Sequence, residues 1–291
     1  MSIEISYECI KTKHQWSTCR ACADTCPTAA ITLTDKGAKI LQHKCSECGL
    51  CVIACPVGAI DGQPPLRRLD ATVLYSEDSP VPTLKELLLF YADGIKTIIV
   101  RLEQSQWLSV ILKTNAVLEE MGLEPLTLSR GAGVPAEQIS ASRRSFLRLG
   151  QVITGGVKSK TLSTAYPTYQ FFDVAINTDT CGLCRACAGV CPEKCIAFGP
   201  DDIQIEQYRC TGCALCRDGC VSQSIAVTCK VRNISPKSYG IVKRQCITCK
   251  ETYFVFDEND ATSTAGQCQA CLFRERIGMP SHTIGQHNLD D

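Results

Sequence analysis

The sequence predicts an α+β chain. Two cysteine-rich modules repeat one another, a small βαβαβ parallel-sheet unit lies between them, and a separate four-cysteine unit follows at the C-terminal end. Three observations lead there. The cysteine runs of residues 19–55 recur at one constant offset of 165 residues, the distance from Cys26 to Cys191. Residues 66–135 hold no cysteine and alternate strand-like with helix-like stretches. Residues 233–291 carry two C-x2-C doublets that stand outside the repeat.

Residues 1–65 form the first module, with Cys19, Cys22 and Cys26-Pro27, then Cys45, Cys48, Cys51 and Cys55-Pro56. Residues 171–232 form the second, with Cys181, Cys184, Cys187 and Cys191-Pro192, then Cys210, Cys213, Cys216 and Cys220. Within each module the two runs are bridged by a predicted β-hairpin. Ile31 to Leu41 alternates around Asp35-Lys36-Gly37, and Ile196 to Ile205 turns at Gly199-Pro200-Asp201-Asp202. The spacing C-x2-C-x2-C-x3-C-P is the ligand spacing of cubane iron–sulfur clusters. These runs, with CRACADTCP echoed by CRACAGVCP, resemble the two-cluster bacterial ferredoxin family over about residues 9–61 and 173–229. The resemblance implies two bacterial-ferredoxin-like modules in tandem, as in a polyferredoxin.

In that family three cysteines wrap one side of a cube and the fourth comes from the partner run. The resemblance then implies four [4Fe–4S] sets. Set II is Cys26, Cys45, Cys48 and Cys51; set III is Cys181, Cys184, Cys187 and Cys220; set IV is Cys191, Cys210, Cys213 and Cys216. Set I departs from the pattern, because Trp16 stands where Cys181 stands in the second module. The spare upstream thiol is Cys9, so set I reads as Cys9, Cys19, Cys22 and Cys55, with Trp16 expected as an apolar cover. A three-iron cluster on Cys19, Cys22 and Cys55, or ligation by His14, are the alternatives. Four zinc ions could use the same thiolates, but zinc sites are typically built from two doublets. The residue four beyond the last cysteine of each run is Ala30, Ala59, Cys195 or Ser224, always small, so Cys195 reads as a packed side chain. Cys229 is expected to be a buried structural thiol.

The middle unit, 66–135, reads as a strand (Ala71 to Tyr75), a helix (Thr83 to Tyr91), a strand (Lys96 to Leu102), a helix (Gln106 to Met121) and a short strand (Leu126 to Leu128). Its stretch FYADGIKTIIV loosely resembles the small α/β adaptor domains attached to iron–sulfur subunits of hydrogenases and heterodisulfide reductases. No Gly-x-Gly-x-x-Gly follows its first strand, which argues against dinucleotide binding and for a docking or structural role. Residues 136–170 read as a linker, within which Ser142 to Arg148 (SRRSFLR) resembles a twin-arginine export motif and is taken as a basic linker helix. In the C-terminal unit, 233–291, Cys246, Cys249, Cys268 and Cys271 have zinc-ribbon spacing, with a strand at Thr252 to Phe256 and a turn at Asp257 to Asp260. One zinc ion is expected there, with a mononuclear iron or free thiols as the alternatives.

Bulk properties exclude several function classes. Net charge is zero, so no basic nucleic-acid footprint is present. No apolar run approaches the roughly 18 residues of a membrane span, and the first residues lack the apolar stretch of a signal peptide. Twenty-two cysteines in tight groups suit shared metals in a reducing compartment better than disulfides. The expectation is a soluble, cytoplasmic protein, peripheral to a membrane only through a partner. There is no C-x3-C-x2-C radical-SAM triplet and no Ser/His/Asp set. The expected role is therefore non-catalytic: an electron-transfer subunit of an oxidoreductase complex, passing electrons between a redox enzyme and another carrier. The rival is an assembly or regulatory scaffold that uses its metal modules structurally.

Overall fold

The computed structural model describes residues 2–76, 80–100, 105–130, 161–257 and 266–279. The first module runs through Glu4–Ile5 (β1), Ile10–Lys13 (α1), Ala21–Thr25 (α2), Ile31–Thr34 (β2), Gly37–Ile40 (β3), Leu50–Ala54 (α3) and Ile60–Asp61 (β4). Strands β2 and β3 form the expected hairpin, with Ile31 opposite Ile40 and Thr34 opposite Gly37. Strands β1 and β4 pair antiparallel, Ile5 opposite Ile60, and so bring the two ends of the module together. Ile3, Ile31, Cys51 and Ile60 are its buried centre. The helices are one turn or little more, too short to be stable alone. This module has a small hydrophobic core and leans on its cysteines.

The middle unit contains Arg68–Asp70 (β5), Val73–Tyr75 (β6), Leu84–Ala92 (α4), Thr97–Val100 (β7), Ser105–Glu120 (α5) and Thr127–Arg130 (β8). Strands β6, β7 and β8 are parallel, in the order the βαβαβ reading requires. The sheet also has an antiparallel edge strand, β5, that the sequence reading missed. Arg-Leu-Asp is too short to show alternation. Helix α4 starts at a capping box: Thr83 Oγ1 accepts from the Glu86 backbone N–H (3.1 Å) and Glu86 Oε2 accepts from that of Thr83 (3.4 Å). Leu74, Leu87, Leu88, Ile98, Trp107 and Leu118 fill the space between helices and sheet, all but shut off from solvent. At about 1.5–3 kcal/mol for each large side chain removed from water, this is the main hydrophobic store among the described residues.

The second module begins earlier than expected. Residues 131–160, including the Ser142–Arg148 motif, lie outside the described residues, but residues 161–170, expected as linker, are folded. Leu162–Ala165 (α6) leads into Tyr169–Ile176 (β9), and Tyr166 and Phe171 join the core of the middle unit. Tyr166 Oη donates to the Leu88 carbonyl (2.6 Å) and Tyr169 Oη to that of Met121 (2.6 Å). The α/β unit is thus packed onto the second module. The chain continues through Ala186–Val190 (α7), Ile196–Phe198 (β10), Asp202–Ile205 (β11), Leu215–Asp218 (α8) and Ile225–Asn233 (β12), with β9 and β12 paired antiparallel.

Beyond the expected boundary at residue 233 the sheet does not stop. Lys237–Gln245 (β13) pairs with β11, Ile203 opposite Tyr239, and Thr252–Phe256 (β14) pairs with β13. The second hairpin and the C-terminal unit therefore share one four-stranded sheet, β10-β11-β13-β14. Gln269–Arg276 (α9) follows. Among the described residues no helix is long and apolar enough to cross a membrane.

Candidate metal centres

The repeated runs fold into repeated backbone geometry. Three residues after the last cysteine of each run the chain turns left-handed, at Ala29 (φ 49°), Gly58 (64°), Lys194 (50°) and Gln223 (52°). The next backbone N–H then donates to that cysteine's sulfur: Ala30 to Cys26 (3.3 Å), Ala59 to Cys55 (3.2 Å), Cys195 to Cys191 (3.4 Å) and Ser224 to Cys220 (3.3 Å). All four donor residues are buried, which accounts for their small side chains. The size of these residues was legible in the sequence; their role as N–H donors was not.

The middle cysteine of three runs is flanked by two left-handed residues: Glu47 and Gly49 about Cys48, Leu183 and Arg185 about Cys184, Gly212 and Ala214 about Cys213. A left-handed residue among right-handed ones makes a concave nest of N–H groups that holds anions. The Glu47 N–H donates to Cys45 Sγ (3.4 Å). Each non-glycine residue held this way costs about 1–2 kcal/mol, and such strain gathers where a site requires it. Cys19 is not so flanked, since Arg20 has φ −130°.

The structure brings each expected quartet together. Cys9, Cys19, Cys22 and Cys55 line one cavity with Ile5, Ile10, Leu33 and Ile60. Cys26, Cys45, Cys48 and Cys51 line a second with Ile3, Ile31 and Ile40. In the second module burial, then Cys181, and then Cys184 and Cys220 among its neighbours push the Cys187 thiol up to about 11. Burial and then Cys210, Cys191 and Cys213 push Cys216 up to about 12. Cys22 and Cys51 are raised in the same way, to about 11 and about 12. Thiols this basic keep their protons at neutral pH unless a cation displaces them, so metal loading releases protons.

Cys9 reaches set I through strand pairing. Ile5 pairs with Ile60, and Cys9 lies four residues beyond; Ile176 pairs with Ile225, and Cys181 lies five residues beyond. Cys9 is thus the spatial counterpart of Cys181, and the nine residues 10–18 stand where two separate Cys181 from Cys184, an insertion of seven. Trp16 is not the cover that the sequence suggested. It is absent from the residues lining the cavity, its ring lies 5.0 Å from that of His14, and it is 44% exposed. His14 does not line the cavity either.

Cys195 does more than fill space. Its thiol lies 3.5 Å from Cys191 Sγ, and hydrogen bonding from it, against the effect of burial, brings Cys191 down to about 6. Cys229, expected to be buried, is exposed. It sits at the β12 irregularity between Cys229 and Arg232, where the alternation of the strand is broken.

In the C-terminal unit the sulfurs of Cys246, Cys249, Cys268 and Cys271 all lie within 4.8 Å of one another. Among the described residues this is the one group of metal-ligating side chains so tightly gathered. Cys249 Sγ and Cys268 Sγ are 3.8 Å apart. A tetrahedral ion with bonds near 2.3 Å has ligand–ligand edges of roughly 3.8 Å, so the quartet suits one ion. Burial raises the Cys246 thiol, but N–H groups of Cys249, Cys268 and Thr248 outweigh it and bring it down to about 6. The second doublet differs from a ribbon turn: Cys268 is the N-cap residue of α9, without a side-chain cap bond, and Cys271 lies in the first turn, where burial and then the Cys268, Cys249 and Cys246 thiols push its own thiol up to about 12.

Residues 17–59 match the family model of the 4Fe-4S dicluster domain. The chain carries a ferredoxin-like iron–sulfur domain. The match spans both cysteine runs of the first module, and the clustered thiols and N–H donors around them are those of an iron–sulfur electron-transfer site. A search of the curated proteins found no match to the chain.

Proposed function

We propose that the protein is an electron carrier with four [4Fe–4S] clusters, held by the four cysteine sets, between a redox enzyme and a second protein carrier. The observation that supports this best is the duplicated geometry: in both modules the remote cysteine of each run receives an N–H bond at the same position of the repeat. When bound, each cluster takes up or gives up one electron. The chain's own residues do the rest. Ile5, Leu33 and Ile60 about set I, and Ile3, Ile31 and Ile40 about set II, exclude water. The N–H donors stabilise negative charge on the sulfurs and so raise the potential.

Anaerobically purified protein is expected to carry about sixteen irons, four to each cubane set, with broad visible absorption that bleaches on reduction. Cys195→Ser and Cys229→Ser should retain that iron, because neither residue is a ligand in this reading. Zinc in all four sets in place of iron would overturn it.

The quartet Cys246, Cys249, Cys268 and Cys271 is assigned one zinc ion as a structural site. Zinc has no redox chemistry and its four-thiolate site is closed, so the ion should survive oxidative destruction of the clusters. Cys246→Ala should release it and loosen α9 while the cluster spectrum persists. A single additional iron with a rubredoxin-type spectrum in place of zinc would reverse the assignment.

A further inference from the structure

The insertion that replaces the first C-x2-C step of the first module does not hang free. Thr18, next to Cys19, gives both its backbone N–H (2.6 Å) and its Oγ1 hydroxyl (2.7 Å) to Asp218 Oδ2. Arg217 Nη2 donates to Thr18 Oγ1 (3.2 Å) and to Asp218 Oδ1 (2.9 Å). The Asp218 side chain is only 3% exposed. The Trp16 ring lies on the backbone of Gly219: a Cβ built there would stand 2.7 Å from Trp16 Cη2 and 3.0 Å from Cζ3. Gly219 adjoins Cys220 of set III, as Thr18 adjoins Cys19 of set I. Two chain segments from different modules are therefore bolted together by hydrogen bonds and an aromatic ring: Thr18 adjoins set I, and on the other side Arg217 adjoins Cys216 of set IV while Gly219, against the Trp16 ring, adjoins Cys220 of set III.

Within each module the sets are already adjacent. Helices α2 and α3, carrying Cys22 and Cys51, pack together, and so do α7 and α8, carrying Cys187 and Cys216. We infer that the joint of Trp16 and Thr18 with Arg217, Asp218 and Gly219 is the electron crossing between the modules, so that the sets are traversed in the order II, I, III, IV. This rests on the four-cluster reading above. With clusters held by sets I and III, the joint would carry one electron from the first, oxidised from the + to the 2+ state, to the second, reduced from 2+ to +. No bond is made or broken and no proton moves. A rival crossing from set I to set IV would run past Pro56 and Cys210, which line a common cavity of about 190 Å³, and the cysteine variants below distinguish the two.

The test uses the full chain with its clusters, partly reduced by photoreduced deazaflavin as the one-electron donor. Magnetic coupling between clusters is read by EPR, and redistribution of the electron between modules by rapid freezing. Gly219 has φ −86°, which alanine accepts, so the defect of Gly219→Ala is its collision with Trp16. Gly219→Ala and Asp218→Asn are each expected to weaken coupling between the modules and slow the redistribution several-fold. Iron content and coupling within each module should stay at parent values. Cys184→Ala, which removes the set III cluster or cuts it to three irons, should abolish or alter the inter-module coupling, and Cys213→Ala, which does the same to set IV, should leave it. Coupling that survives Cys184→Ala but is lost in Cys213→Ala, or that is unchanged in both joint variants, overturns the crossing while the four clusters stand. A parent protein without iron overturns the cluster reading and the crossing with it.

Discussion

Cys9→Ala is expected to disturb one cluster and leave three. Iron should fall from about sixteen to between twelve and fifteen, as a lost cubane or its three-iron remnant requires. The oxidised variant should show the EPR signal of a three-iron cluster, which oxidised low-potential cubanes lack, or the reduced variant should lose one cubane signal. The reason is structural: the pairing of β1 with β4, and the bond from the Ser6 N–H to the Ala59 carbonyl (2.9 Å), hold Cys9 in the cavity of Cys19, Cys22 and Cys55. Sets II, III and IV contain no residue of this segment and should be unaffected. An unchanged set of four cubanes in Cys9→Ala would show that the fourth ligand lies elsewhere. His14, which lies outside the cavity, would then have to move in.

Glu86→Ala should be the most destabilising change away from the metals. Arg67 and Glu86 are both about 1% exposed and form a two-bond pair, Nε to Oε1 at 2.8 Å and Nη2 to Oε2 at 3.0 Å. The guanidinium also donates to the Pro80 carbonyl and lies over the Trp107 ring at 5.3 Å. Removing the carboxylate strands a buried cation, at a cost of about 3–5 kcal/mol, and the lost capping box adds about 1 kcal/mol. Replacing both partners with apolar residues, as in Arg67→Met with Glu86→Leu, should recover much of this, because neither charge is then buried alone. Hydrogen exchange of α4 and α5 reads the effect locally, free of the metal-dependent modules. A loss below about 1 kcal/mol would mean that Arg67 escapes to water, as paired surface charges do. Tyr166 and Phe171 share this core. The loss should therefore also loosen the seating of the α/β unit on the second module.

Which cysteines are available and how they group is written in local chain order. Ligand spacing is covalent: two residues between cysteines, a hairpin of fixed length and a returning cysteine specify a quartet with little freedom left. The alternation in Ile31 to Leu41 and the strand–helix rhythm of the middle unit were legible for a similar reason, since period and burial are linked within a few residues. What depends on pairing between distant segments emerges only when the elements pack. Strands of two or three residues, such as β1, β4 and β5, show no period at all, yet the β1–β4 register puts Cys9 rather than Trp16 in the place of Cys181. Counting back from Cys19 pointed to Trp16 because an insertion shifts the numbering without shifting the strand. Where Trp16 goes is set by Gly219, some two hundred residues away, whose lack of a side chain makes room for the ring. The extension of the second module's sheet by β13, and the placement of Cys268 and Cys271 at a helix start, are likewise long-range. Local spacing specifies a donor set; only the packing of elements far apart in sequence specifies what lies next to it.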